Sequence, residues 1–94
     1  MTKLELIKEI SKKTGIEKVI VDATIEALME NIKEHVAKNE AVNLRGFGNF
    51  YAKKRAAKVT RNISKNIAMH FPARYVPVFR PAPRFKEKVK KTVS

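Results

Sequence analysis

Residues 45–81 have the sequence RGFGNFYAKKRAAKVTRNISKNIAMHFPARYVPVFRP. This stretch contains no Asp or Glu, and its apolar residues are spaced among Lys and Arg. Glycines at its start and prolines at its end favour turns and exposed strands over a buried element. The stretch therefore predicts a basic β-hairpin that extends toward a polyanion.

Charge is divided unevenly along the chain. Of the net charge of +12, residues 1–40 contribute −1, from seven Lys against eight Asp and Glu. Residues 41–94 contribute +13, from fourteen Lys and Arg against the single acid Glu87. A charge that served only solubility would mix both signs throughout. The division favours a folded N-terminal half of mixed charge and a cationic C-terminal half that forms an anion-binding surface.

The composition limits the class of protein. Ninety-four residues suit one domain, residues 1–94, and the absence of cysteine excludes disulfides and thiolate metal sites. The short apolar runs predict a soluble protein with neither signal peptide nor membrane span. His35 and His70 have no cluster of carboxylates nearby, and no catalytic triad, phosphate loop or carboxylate pair is found. We therefore expect no metal, no cofactor, no small-molecule substrate and no enzymatic activity.

The first half of the chain has the spacing of two amphipathic helices. Thr2 and Glu5 match a capping box, and Gly15 supplies a stop, which predicts helix 1 at about residues 3–14. Helix 2 is predicted at about residues 17–38, with an apolar stripe at Val21, Ile25, Leu28, Ile32 and Val36. That stripe is wider than one short partner helix requires. Residues 1–40 are thus an αα-hairpin with apolar surface left over.

A sheet and a last helix follow. Residues 41–44 are a short strand, residues 45–48 a turn, and residues 49–59 a long second strand. Residues 60–69 are the expected tip, and the return strand runs through residues 70–80, where Pro72 and Pro77 require an edge or a free ribbon. Residues 84–91 predict a short helix with Phe85 and Val89 on its inner face. The fold class is α+β, with residues 41–81 as a three-stranded antiparallel sheet that extends into an arm at about residues 53–76, and residues 82–94 as the C-terminal helical segment.

The aromatic residues and the wide stripe of helix 2 favour a dimer. Three strands and one short helix cover little apolar surface, so two chains packed helix to helix would bury what one cannot. A monomer with an ordinary Phe cluster is the alternative. The predicted dimer core comprises Leu28, Ile32, Leu44, Phe47, Phe50 and Phe79.

Several short motifs together resemble the bacterial HU and integration host factor family. They are Gly46-Phe47-Gly48-Asn49-Phe50, Arg55-Ala56-Ala57, Arg61-Asn62, Pro72-Ala73, Val76-Pro77 and Phe79-Arg80-Pro81. The likeness covers nearly the whole chain. It implies an intertwined homodimer in the nucleoid of the bacterial cytoplasm, whose two arms enter the minor groove of duplex DNA and bend it.

Three positions depart from the family pattern. Ile63 stands where the family usually has proline, Asn66 where the tip turn usually has glycine, and Pro83 where a phosphate-binding lysine is common. Isoleucine is apolar and bulky, so Ile63 is the expected wedge between base pairs. Arg84 is the expected substitute for the missing lysine.

The expected DNA-binding residues are mostly cationic. Lys53, Arg55, Lys58, Arg61, Lys65 and Arg74 line the arm, with Asn62 beside the wedge; a solvated charged ribbon is the alternative. Beneath the bent duplex we expect four further cations, Arg45, Arg80, Arg84 and Lys86. Gly46 and Gly48 are expected to contact DNA at the turn. Lys3, opposite Glu26, is expected to contact flanking DNA. For the two glycines, a purely structural role in the turn is equally supported.

The arm tip, residues 58–70, is expected to be disordered without DNA because an isolated two-stranded ribbon is marginal in water.

The favoured function is a histone-like architectural protein that bends and compacts duplex DNA with little sequence preference. Alternatives are an integration-host-factor-like protein with preferred sites, an RNA-binding protein, and a protein whose basic face binds acidic proteins or anionic membranes. Whether the dimer contains two identical chains or a paralogue is left open by the sequence.

Overall fold

The computed structural model describes residues 1–62 and 67–93, and for residues 60–62, 69 and 71 it describes the backbone. The elements are α1 (Lys3–Thr14), α2 (Lys18–Ala37), β1 (Val42–Leu44), β2 (Gly48–Arg55), β3 (Lys58–Asn62), β4 (Ile67–Phe71), β5 (Arg74–Pro81) and α3 (Pro83–Val93). The chain divides into two compact units, Met1–Glu34 and His35–Ser94. None of the described helices is long and apolar enough to span a bilayer.

The ends of α1 follow from local chemistry. The Glu5 N–H donates to Thr2 Oγ1 at 3.2 Å, which satisfies one of the backbone donors left free in the first turn. At the other end, the Gly15 N–H donates to the Ser11 carbonyl at 2.9 Å. The Thr2 cap and the Gly15 stop are therefore confirmed, and the helix has the predicted limits.

Helix α2 is bounded by residues that leave the helical conformation. The Glu17 carbonyl accepts from the N–H groups of Ile20 and Val21, both at 3.0 Å, so the helix begins at Lys18. After Ala37 the chain turns at Asn39, whose φ of 63° is left-handed. The observed helix is one residue shorter at each end than predicted.

The sheet of unit His35–Ser94 has the strand order β1-β2-β5, with both pairings antiparallel. Strand β5 lies at an edge of this sheet, and Pro77 lies opposite Ala52. Because the outer side of an edge strand has no neighbouring strand, a backbone N–H is not needed there, and proline is tolerated. The α+β class and the three-stranded antiparallel sheet predicted from the sequence are confirmed.

The predicted long strand 49–59 is wrong in one respect, because it is two strands. β2 ends at Arg55 and β3 begins at Lys58, while the return strand is divided between β4 and β5 across Pro72 and Ala73. β3 and β4 form a separate two-stranded antiparallel sheet. The predicted tip, residues 60–69, was also too long: strand pairing continues to Asn62 opposite Ile67.

The interruption does not change the strand register. Arg55 lies opposite Arg74 at the last pair of the large sheet, and Lys58 lies opposite Phe71 at the first pair of the small one. Two residues on each strand separate these pairs, so one hairpin continues through a gap of equal length on both sides. Pro72 has no N–H with which to close the ladder there.

Few apolar side chains are buried within one chain. Among the described residues, the buried hydrophobic side chains are Ile7, Val21 and Val36. None of the six residues predicted for the dimer core is buried in the single chain, and Leu28 is 46 % exposed. A chain with so small a core of its own leaves apolar surface for a second subunit.

Candidate nucleic-acid interface

The strand register sorts the sheet into two faces. Residues opposite each other on paired strands share a face, and faces alternate along each strand. Lys53 lies opposite Val76, Arg55 opposite Arg74, and Asn49 opposite Arg80. Four exposed cations, Lys53, Arg55, Arg74 and Arg80, therefore lie on one side, which we call the basic sheet face.

The opposite side of the sheet carries an aromatic cluster. Phe50 and Phe79 are opposite each other in the register, with ring centroids 4.7 Å apart. Phe47 stacks on Phe85 of α3 at 5.4 Å and lies 5.2 Å from Phe79. Aromatic pairs at these separations add specific packing energy to area burial. The cluster fixes α3 on this face and confirms that Phe85 points inward, whereas Val89 is 46 % exposed.

Two glycines shape the turn between β1 and β2 in different ways. Gly46 has a φ of 79°, the left-handed conformation that glycine adopts without strain, and the Phe47 N–H closes the turn on the Leu44 carbonyl at 2.9 Å. Gly48 is buried, and a Cβ there would lie 2.4 Å from Phe79 Cε1 and 2.7 Å from the Arg80 carbonyl oxygen. Gly48 is thus required by close packing, a role that sequence reasoning missed.

Arg45, Arg84 and Lys86 are the other cations expected beneath DNA. Arg45 lies exposed in the same turn, and Arg84 and Lys86 lie exposed in the first turns of α3. The Ala82 N–H donates to the Phe47 carbonyl at 2.8 Å, which ties the start of α3 to the turn. Pro83 begins α3, at a position where the missing N–H costs nothing.

The arm is described in part. Lys58 is exposed in β3, as are the apolar side chains of Val59 and Ile67, at 64 % and 56 %. The backbones of Arg61 and Asn62 lie in β3, opposite Ala68 and Ile67. Ile63 and Lys65, and with them the wedge assignment, fall outside the described residues, as does Asn66; the expected disorder of the tip stays a prediction.

Lys3 is engaged within unit Met1–Glu34. Its Nζ pairs with Glu26 Oε1 and lies 3.8 Å from Asp22 Oδ1. The hydrogen bond to Glu26 raises the pKa of Lys3 above its usual value, and the same bond lowers the pKa of Glu26. The two carboxylates hold the ammonium that sequence analysis expected on DNA, so a phosphate would compete with them for Lys3.

Metal-binding groups do not assemble in the part of the chain that the structure covers. No group of three or more His, Asp or Glu side chains lies close enough to hold an ion among residues 1–62 and 67–93. His35 Nδ1 lies 3.1 Å from Glu40 Oε2, an exposed local contact, and His70 lies opposite Val59 in the arm.

One polar atom stands out on the side of the basic sheet face. Asn49 Oδ1 is buried without a hydrogen-bond partner, between Asn43 of β1 and Arg80 of β5 in the register. The sequence gives no signal for this, because an asparagine in a strand does not reveal what covers its amide.

Known proteins resemble this chain along its length. The family described as bacterial DNA-binding protein matches residues 1–90. DNA-binding protein HU of Thermotoga maritima is 41 % identical over 90 residues, 96 % of this chain and 100 % of that protein. Integration host factor subunit beta of Marinobacter nauticus is 34 % identical, over 95 % of this chain and 92 % of the relative.

Solved structures agree with the sequence relatives. The cocrystal structure of Anabaena HU with DNA superimposes with a TM-score of 0.88 at 38 % identity, covering 95 % of this chain and 97 % of that chain. HU from Thermotoga maritima gives a TM-score of 0.67 at 31 % identity. By profile, by identity and by fold, this chain belongs to the bacterial DNA-binding protein family that includes HU and integration host factor.

Proposed function

We propose that two copies of this chain form a homodimer that binds duplex DNA on the basic sheet face and grips it with both arms, so that the DNA is bent with little sequence preference. Family membership settles the class: this is a histone-like architectural DNA-binding protein, not an enzyme, and proteins of the family act as dimers. The residues that contact DNA, the identity of the two subunits and the nucleoid of the bacterial cytoplasm as its location are parts of the proposal.

The observation that supports it most is the strand register. Four cations project from one face, while the aromatic cluster occupies the other. Two of them, Arg55 and Arg74, are directly opposite each other, and such like charges repel unless an anion lies over them. A duplex supplies regularly spaced phosphates, and a sheet face presents cations without any helix that must enter the major groove.

The arm has the dimensions that the proposal needs. Residues 53–62 extend up to ~33 Å at ~3.3 Å per residue, comparable with about 34 Å for one turn of B-DNA. Lys58 continues the positive charge beyond β2. Arg61, Asn62, Ile63 and Lys65 at and near the tip are proposed to occupy the minor groove, with Ile63 as the wedge that kinks the duplex.

Salt dependence tests the phosphate contacts. Each phosphate neutralised contributes about −0.9 to the slope of log affinity against log salt, so seven or more contacts per dimer predict a slope of about −6 or steeper. An affinity independent of salt would contradict the proposal. In competition, nicked duplex should displace intact duplex because its bending cost is lower, whereas preference for structured RNA would favour the RNA-binding alternative.

Bending tests the wedge separately from binding. We expect Ile63→Ala to reduce the bend of a duplex labelled at both ends for fluorescence transfer, while phosphate-driven binding is largely kept. Val59→Ala is the matched control, because it removes an exposed apolar side chain from the same arm, four residues before Ile63. Unchanged bending in Ile63→Ala would remove Ile63 from the mechanism.

A further inference from the structure

We propose that Lys88 and Lys91 extend the interface from Arg84 along one face of α3, and that this face is a phosphate-binding surface that holds duplex DNA beyond the segment bound by the sheet and arm. The inference rests on the proposed function, and it adds Lys88 and Lys91 to the interface. DNA binding by the cations of the sheet and arm does not depend on this additional surface.

The spacing of these residues brings them to one face. Steps of four and three residues place side chains one above another on a helix, and α3 is continuous from Pro83 to Val93. All three side chains are exposed. They border one shallow surface depression together with Pro83 and Glu87. The face therefore presents its charges together.

The other face of α3 is anchored at its first turn. Phe85 packs against Phe47 at 5.4 Å and Phe79 at 6.3 Å, so the apolar side of the helix begins in the aromatic cluster. The hydrogen bond from Ala82 to Phe47 holds the preceding residue. These contacts place the first turn of α3, and with it Arg84, beside the turn and the aromatic cluster.

The position of α3 along β5 indicates which DNA it meets. β5 begins beside the arm at Arg74 and ends at Pro81, and α3 starts two residues later. The basic face thus begins at the end of the sheet away from the arm. From Arg84 to Lys91 the helix rises about 10 Å at ~1.5 Å per residue, which matches about three base pairs at ~3.4 Å each.

Charge favours a polyanion as the occupant. Glu87 lies on the same face and reduces three positive charges to a net of two. In the portion of the chain described, none of Arg84, Lys88 and Lys91 forms an ion pair. A duplex that leaves the sheet at this end would continue the proposed interface without a break.

The end of this face lies outside the family pattern. The family match stops at residue 90, and the Thermotoga HU is covered completely by 90 residues of this chain, whereas α3 continues to Val93. Lys91 therefore belongs to a part of the helix that the family profile does not describe.

The test compares duplexes of two lengths. The variant is Lys88→Gln with Lys91→Gln, since glutamine keeps helix propensity and removes charge. The control is Lys12→Gln with Lys13→Gln in the last turn of α1, which removes the same charge elsewhere. Affinity is measured against salt on duplexes of ~16 and ~42 base pairs, about one and a half and four helical turns.

We expect the variant to match wild type on the short duplex. On the long duplex its log–log salt slope should be shallower by up to about 1.8 per protomer, for two contacts at ~0.9 each, while the control keeps the wild-type slope. Equal loss on both duplexes would contradict a contact beyond the central segment. A variant indistinguishable from the control on the long duplex would overturn the second surface. Absence of salt-dependent wild-type binding to the short duplex would instead refute the proposed function, and the inference with it.

Discussion

Gly48 is a position where one methyl group has a large effect. Its neighbours are the Phe79 ring and the Arg80 carbonyl, both too close for a Cβ, and the carbonyl belongs to the paired strand β5. We expect Gly48→Ala to lower the free energy of unfolding by about 1–3 kcal/mol, the usual cost of overpacking. Thermal or denaturant unfolding measures it.

Gly46 provides the matched control for that substitution. A Cβ at Gly46 meets no atom within 4 Å, and asparagine tolerates its positive φ. Gly46→Asn should therefore cost less than about 1 kcal/mol. Equal losses in the two variants would mean that turn conformation, rather than the Phe79 contact, explains both glycines.

The ion pair of Glu26 with Lys3 makes a pH-dependent contribution to stability. Because the folded-state pKa of Glu26 is lowered, the contribution is present above the unfolded value of about 4.5 and is lost as pH falls through the folded value. Glu26→Gln should lower the melting temperature slightly at pH 7, and the difference from wild type should disappear in acid. Glu34→Gln, which removes the same charge from the same helix, is the control for the melting temperature at pH 7.

The same substitution bears on DNA. If Lys3 contacts flanking phosphate, Glu26→Gln removes one of the two carboxylates that hold its ammonium and should tighten binding to a long duplex, beyond the gain from Glu34→Gln. Equal gains would mean that only net charge matters.

At the scale of the element, the strand pair β2–β5 combines stability with binding. Arg55 and Arg74 lie directly opposite each other, and like charges at such positions destabilise a sheet by about 0.2–1 kcal/mol. Arg74→Gln should therefore leave the free protein equally or more stable. The same variant should make the log–log salt slope of DNA binding shallower by about 0.9 per protomer.

The comparison variant for Arg74 is Lys13→Gln, which removes one charge from α1. It should leave the slope of DNA binding unchanged. A loss of stability in Arg74→Gln, with the salt slope kept, would mean that the arginine serves the sheet and not the ligand.

The limits of an element were predictable where they depend on residues close to it in the sequence. The Thr2 cap, the Gly15 stop and the edge position required by Pro77 all follow from local chemistry. The gap at Ala56 and Ala57 did not, because alanine has no strong preference and its cross-strand neighbours are not visible in sequence. The contact of Gly48 with Phe79 joins residues far apart in the chain, so it was equally hidden.

At the scale of the whole molecule, a single chain has too little core of its own. Leu28 is 46 % exposed and was predicted to lie in the dimer core. Leu28→Lys should therefore shift the protein toward monomer, and it should lower the melting temperature at fixed concentration because folding is linked to association. Sedimentation measures the first effect and thermal unfolding the second.

Val59→Lys serves as the control for the dimer, since it places the same charge at an exposed apolar position in the arm. It should leave the mass in solution unchanged. A Leu28→Lys protein that remains a dimer with wild-type stability would place the subunit contact elsewhere.

The equal gaps on the two strands between Arg55 and Lys58, and between Phe71 and Arg74, limit how this hairpin can vary in length. Loss of one residue from a single strand would shift every later pair by one place and move the later side chains of that strand to the opposite face of the ribbon. Matched insertions or deletions on both strands keep every pair, so we expect the two sides of the hairpin to lengthen and shorten together.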